Sequence, residues 1–364
     1  MNKFHKIADR NNNLGTETAF TVLAKANKLA SEGKNIINLG IGQPDFETPE
    51  HIVEAGIKAL KDGHHGYTQS IGIPQLREAV SDDINRRHKV QVSPDNIIIV
   101  PGGKVIIFFS AMLMGEKNKE ILYPNPGFPI YESAINYSGA KAVPYKLSEN
   151  KGFSFSAEDI LKKINQNTSL IIINSPANPT GGVVPKFELE KLAKGLEKFP
   201  NVVLMSDEIY DQFCFGDVSF TSMLNFPEIR DRLIILNGWS KTYAMTGWRL
   251  GYGIFPDKLH EIAEKLAVNI HSCVNASAQY ALGWMYENGE GLNKDSSQAY
   301  IWYLKAAKKN HAAAQTNLGW MYENGKGVEK DYTIAVDWYK KAAEQGQAEG
   351  QLNLGIMYKS GKGV

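Results

Sequence analysis

The chain has 364 residues, 43% of them apolar and 22% charged, which is enough material for about two ordinary globular domains. A net charge of +1 leaves no electrostatic footprint for nucleic acid or an anionic membrane. Two distant cysteines, Cys214 and Cys273, lack metal-ligand spacing and argue against a disulfide framework or a zinc site.

Taken in chain order, the opening MNKFHKIADRNNN has no apolar run of signal-peptide type, so a cytoplasmic location is expected. A helix is expected at Thr18–Ala30. Strands are expected at Ile97–Val100, Glu120–Tyr123, Ala142–Lys146, Leu170–Asn174, Val202–Ser206, Leu233–Leu236 and Gly251–Ile254. Val105–Met114 is apolar but too short to span a bilayer and reads as a core helix. Phe187–Lys198 places Leu189, Leu192, Ala193 and Leu196 at helical spacing. Strands alternating with helices predict an α/β fold with a mostly parallel sheet of seven strands, covered on both faces. Polar and glycine residues gather just after these strands: PGGK at 101–104, NPGF at 125–128, SPANPTGG at 175–182 and SDEIY at 206–210. Ligands bind at that end of open α/β sheets.

The final 85 or so residues follow a different rule. LGWMYENGEG at 282–291 recurs as LGWMYENGKG at 318–327 and as LGIMYKSGKG at 354–363, an offset of 36 each time. Asp295 maps onto Asp331, Trp302–Tyr303 onto Trp338–Tyr339, and Ala306–Ala307 onto Ala342–Ala343. A fixed period of this length predicts an all-α solenoid. These residues resemble Sel1-like repeats, relatives of the tetratricopeptide type, which implies a protein partner. The expected division is a first domain over residues 1–280 and repeats over 281–364, two of them full and one partial.

Single residues carry the chemistry of the first part. Lys241 follows an apolar strand, where an amine can form a Schiff base, and Arg249, eight residues on, can hold a phosphate. Asp207 ends VVLMSDE and reads either as a helix cap or turn carboxylate, or as the partner of a cationic ring nitrogen. Asn178 lies in the turn-forming SPANPTGG, where a pure turn role is the alternative, and Phe128 in NPGF reads equally as core. Gly102–Gly103, between a strand and a helix, suits an anion cradled by backbone N–H groups. No metal ligands are indicated.

The ordered series GQPDF, GYTQSIGIPQLREAV, PGGK, NPGFPIY, NSPANPTGG, SDEIY and SKTYAMTGWRLGY is similar to the class I/II aminotransferases, pyridoxal 5'-phosphate (PLP) enzymes of fold type I, over about residues 14–281. The resemblance implies a PLP-transferase-like large domain. It also implies transfer of an amino group from an L-α-amino acid to a 2-oxo acid. Lys241 is then the lysine that joins the cofactor and moves the substrate's α-proton. Asp207 keeps the pyridine nitrogen protonated, Tyr210 and Asn178 hydrogen-bond the phenolate oxygen, and Phe128 stacks on the ring. Gly103, Lys104, Ser240 and Arg249 hold the phosphate. Tyr67 reaches it from a neighbouring subunit, so a homodimer is implied, and Gly42 and Asn178 meet the substrate.

Gly238 stands where relatives carry a hydroxyl residue. The repeats stand where the family continues into a small domain bearing an arginine for the substrate carboxylate, and residues 278–364 contain no arginine. Loss of that contact is expected to cost about 10²–10⁴-fold in rate. The alternative reading is a weak or inactive PLP-binding relic that serves as a repeat scaffold for protein contact.

Overall fold

The computed structural model describes residues 8–15, 18–38, 40–288, 303–304, 307, 312–326 and 328–363. The chain divides into two compact units, Met1–Ala281 and Leu282–Val364.

The first unit is built on one sheet of seven strands: β1 (Ile97–Val100), β2 (Glu120–Asn125), β3 (Lys141–Lys146), β4 (Thr168–Asn174), β5 (Val203–Asp207), β6 (Leu233–Gly238) and β7 (Gly251–Ile254). Their order is β1-β7-β6-β5-β4-β2-β3. The β2–β3, β2–β4, β4–β5 and β5–β6 pairs are parallel, and β7 runs antiparallel between β1 and β6. All seven expected strands are present; β1 and β7 keep their expected bounds, and the other five shift by one or two residues at one or both ends.

The composition of the strands explains their place. β1 is IIIV and β4 is TSLIIIN, and every residue of both is buried. Runs without polar alternation suit a sheet covered on both faces. On one face Ile98, Leu170, Ile172, Met205 and Leu236 pack with Phe109, Tyr131, Ile135 and Ala267, from helices Lys104–Met114, Ile130–Ser138 and Asp257–Ile270. Their strand neighbours Ile97, Ile99, Leu122, Ile171, Ile173 and Leu204 point the other way and are also buried. The apolar stretch at 105–114 forms helix Lys104–Met114, and helix Lys186–Leu196 buries Leu189, Leu192, Ala193 and Leu196, as the spacing requires. The N-terminal helix covers Thr18–Ser31. No described helix is long and apolar enough to cross a membrane.

In the second unit, helices Ala312–Asn324, Tyr332–Glu344 and Ala348–Ser360 pack in succession. The residues that recur every 36 positions have visible work here. The Asp331 carboxylate caps Tyr332–Glu344 by accepting from the Thr333 and Ile334 N–H groups at 2.9 and 3.0 Å. Tyr339 is fully buried, and its hydroxyl donates to Glu323 at 2.8 Å. Ala335 and Ala342 keep the helix contact close. Residues 289–291, Asp295, Trp302, Ala306 and Gly327 of the expected repeats lie outside the described residues.

One buried carboxylate in the first unit should leave a thermodynamic signature. Glu208 accepts from the Ser206 and Ser222 hydroxyls at 2.9 and 2.7 Å and from the Met223 N–H at 3.0 Å, tying the turn Met223–Asn225 to β5. Burial nevertheless pushes it up to about 7. The folded state therefore binds the proton more tightly than the unfolded chain, and stability falls as pH rises between about 4.5 and 7. Glu208→Gln should reduce that fall, whose full slope for one group is about 1.4 kcal/mol per pH unit. Thermal melts at pH 5 and 7 check it; equal slopes in the two proteins would contradict it.

Candidate active site

The parallel strands β4, β5 and β6 end side by side, with Asn174 paired to Asp207 and Asp207 to Leu236. Asp207 is the last residue of β5, and no helix begins after it, so it is no helix cap. It is 4% exposed. Its Oδ2 accepts from the Tyr131 hydroxyl at 2.6 Å, and its Oδ1 accepts from the Ile209 N–H at 3.3 Å. Burial pushes this carboxyl up to about 6, against the two hydrogen bonds, which favour the charge. Both donors are neutral groups. A buried carboxylate with only neutral partners is costly, and a cation placed beside it relieves that cost.

Asn174, at the end of β4, joins this carboxylate to the following loop. Its amide donates to the carbonyls of Asp207 at 3.0 Å and Pro176 at 3.2 Å, and its side-chain oxygen accepts from the Asn178 N–H at 2.7 Å. Tyr210 follows on a short turn. Its neighbour Asp211 is held by the Arg87 guanidinium and by the Asn237 amide, the latter at 3.0 Å.

Ser240 and Lys241 lie just beyond β6. The Lys241 amine donates to the Gly42 carbonyl and lies 5.8 Å from the centre of the Tyr210 ring. Three of the expected residues are thereby brought together. Phe128 stands edge-on to Tyr131, ring centres 5.8 Å apart, with the Lys104 ammonium 5.4 Å from its own centre.

Arg249 meets the loop after β1. Its guanidinium donates to the carbonyls of Thr246 at 2.8 Å and Pro101 at 3.3 Å. Its backbone takes φ 55, and that of Ala244 φ 51, conformations that cost a non-glycine residue energy and cluster at functional sites. Gly102 has φ +94, and a Cβ there would come within 2.1 Å of Arg249 Nη2. Helix Lys104–Met114 starts at once, with Gly103 as its cap residue. A guanidinium with carbonyl partners beside a helix N-terminus is a site for a phosphate-like anion.

Gly238 has a steric cause. A Cβ there would meet Gly251 Cα at 2.8 Å, where β6 and β7 pair, so no hydroxyl side chain fits at this position. Tyr67 stands 96% exposed on the surface.

Two residues of the site were not singled out from the sequence. Tyr131 lies in NPGFPIY, three residues after Phe128, and as an aromatic at the start of an amphipathic helix it reads as core. Asn174 reads as a strand end, and the asparagine heading NSPANPTGG was the available signal.

The family model "Aminotransferase class I and II" matches residues 34–323, and the Sel1 repeat model matches residues 312–347 and 348–364. A probable aspartate/prephenate aminotransferase of Aquifex aeolicus is 37% identical over 75% of this chain and 70% of its own length. A (5-formylfuran-3-yl)methyl phosphate transaminase of Methanocaldococcus jannaschii is 40% identical over 71% of this chain and 66% of its own. Among solved structures, the aspartate aminotransferase of Thermus thermophilus with maleate superposes with a TM-score of 0.74 at 27% identity, covering 88% of this chain and 81% of that one. The aspartate aminotransferase of Thermotoga maritima gives 0.71 at 32% identity, covering 82% and 80%. The chain spans 61–70% of the length of the first curated relatives it matches.

Gly102 and Gly33 separate strain from crowding, since both have positive φ and only Gly102 has a neighbour within 4 Å of an added Cβ. Gly33→Ala and Gly102→Ala are each expected to cost about 1 kcal/mol of stability for their positive φ, because the atoms crowded at Gly102 are the far end of the flexible, exposed Arg249 side chain, which can move. Denaturant melts of the two variants check this; a Gly102→Ala cost well above that of Gly33→Ala would show that Arg249 is held rigidly on the loop.

Proposed function

The chain belongs to the aminotransferase class I and II family, and from that premise we propose that it moves an amino group from an L-α-amino acid to a 2-oxo acid on PLP held at Lys241. The observation that carries this reading is a pair of opposite charges at the same end of the sheet. A buried carboxylate at Asp207 has neutral partners, and the exposed Arg249 guanidinium beside the Gly102–Gly103 loop has carbonyl partners. A molecule with a cationic ring nitrogen at one end and a phosphate at the other suits both. PLP has that charge pattern, so the residues present fit the group.

When bound, PLP supplies an aldehyde that takes up the amino group and a ring that accepts the electron pair released with the α-proton. The chain's own residues do the rest. Lys241 would hold the cofactor covalently and, once displaced by substrate, would take the proton from the substrate's α-carbon and deliver it to the carbon that carried the cofactor's aldehyde, the second half of the reaction running this transfer in reverse. Asp207 keeps the ring nitrogen protonated. Tyr210 and Asn178 donate to the ring's phenolate oxygen, and Phe128 covers one ring face. The Gly103 and Lys104 N–H groups, Ser240 and Arg249 bind the phosphate, with Tyr67 of a second subunit completing it in a homodimer. Gly42 and Asn178 meet the substrate, and entry of the cofactor requires Lys241 to leave the Gly42 carbonyl it holds in this structure.

The relatives' names and the maleate-bound neighbour support aspartate as the first donor to test. Residues 1–280 are proposed as the cofactor-binding domain and 281–364 as repeats that contact a protein. The full chain, loaded with PLP and given L-[¹⁵N]aspartate and 2-oxoglutarate, should yield ¹⁵N-glutamate by mass spectrometry. Lys241→Ala should lower the rate about 10²–10⁴-fold. PLP binding with no transfer of ¹⁵N, from aspartate or from a panel of other amino acids, would instead support the relic reading.

A further inference from the structure

The two residues proposed to contact the cofactor ring, Asp207 at its nitrogen and Phe128 on its face, meet at a third residue. Tyr131 is fully buried in helix Ile130–Ser138. Its hydroxyl donates to Oδ2 of Asp207 at 2.6 Å, and its ring stands at 88° to Phe128. A short O–H···O⁻ contact of this kind is charge-assisted and about twice as strong as a neutral one. We infer that Tyr131 is a positioning residue for the cofactor's counter-ion, its hydroxyl holding the Asp207 carboxylate in the ionised form that a protonated ring nitrogen requires.

Several features support this role. Burial and the neighbouring Asp207 hold the Tyr131 hydroxyl well above its ordinary value, so it stays a proton donor across the working pH range. Burial alone drives Asp207 toward its neutral form, and the Tyr131 hydrogen bond is the largest opposing influence. The surrounding titratable groups do not take over this work. The Tyr145 hydroxyl donates to the Ile172 carbonyl at 2.8 Å. Glu208 is turned to Ser206, Ser222 and Met223. Tyr210 carries the Lys241 ammonium over its ring. The use of the ionised carboxylate rests on the proposed function; the ionisation itself does not.

The test therefore begins without cofactor. In protein labelled with ¹³C at the aspartate carboxyls, the Asp207 signal, assigned by its loss in Asp207→Asn, should titrate near pH 6. In Tyr131→Phe it should move up by about one to two pH units, the shift equivalent to one hydrogen bond to a charged group. A titration that stays in place overturns the inference. If Tyr131→Phe does not fold, uniform 3-fluorotyrosine supplies a stronger donor at the same place. The Asp207 titration should then fall, and an unchanged or higher value overturns the inference.

The second reading is the affinity for PLP from pH 5 to 9. Its acid limb should move up with the carboxylate in Tyr131→Phe while affinity at pH 9 is kept. In an Asp207→Asn background the tyrosine substitution should change nothing. Wild-type protein that binds no PLP would defeat the proposed function and leave the carboxyl titration to decide the role of Tyr131.

Discussion

A single negative charge, taken out of water at the centre of the sheet, sets the terms for the rest of the site. Asp207 ends the middle strand of seven, walled by β4 and β6 and by the helix that bears Tyr131. An isolated carboxylate in such a place neutralises unless something favours its charge. Here a phenol and one N–H do so in part, and a cationic ring nitrogen, as proposed, would do the rest. Arg249 offers the opposite charge on an exposed side chain, with a strained backbone beside a glycine loop. A buried carboxylate and an accessible guanidinium suit the charge pattern of the proposed ligand.

The sheet is what makes the arrangement stiff. Asn174 binds the backbone of Asp207 and of Asn178 at once, so the ends of β4 and β5 and the loop that follows behave as one piece. The close approach of Gly238 to Gly251 fixes where β6 stops and Lys241 begins. A residue that departs from the family pattern at 238 is therefore a consequence of strand packing in this chain. The proposed anion contacts therefore fall to Arg249 and the loop at 101–104.

Much of this was legible in the residues alone. β-branched runs such as IIIV and LIIIN mark buried strands because little else suits such segments. Strand ends were less legible: Val202–Ser206 became Val203–Asp207, which makes Asp207 part of the strand. The positions of Lys241, Asp207 and Arg249 near the ends of strands were readable, and their proposed chemistry follows from those places. Tyr131 was hidden, because a tyrosine on the buried face of a helix looks like core until the atom its hydroxyl reaches is known. The reason for Gly238 was hidden too, since it lies in a residue thirteen positions away, across the sheet. In the repeats, the period alone placed Asp331, Tyr339 and Ala342 at equivalent positions, and their capping and packing duties needed the helices.

The central claim is that Lys241 is the residue on which the cofactor is held, between Asp207 and Arg249. The full chain loaded with PLP, reduced with borohydride, digested and mapped by mass spectrometry, tests it most directly. The account requires one reduced adduct, on the peptide carrying Lys241, lost in Lys241→Ala. A label spread over surface lysines, or one seated on Lys104, would contradict it.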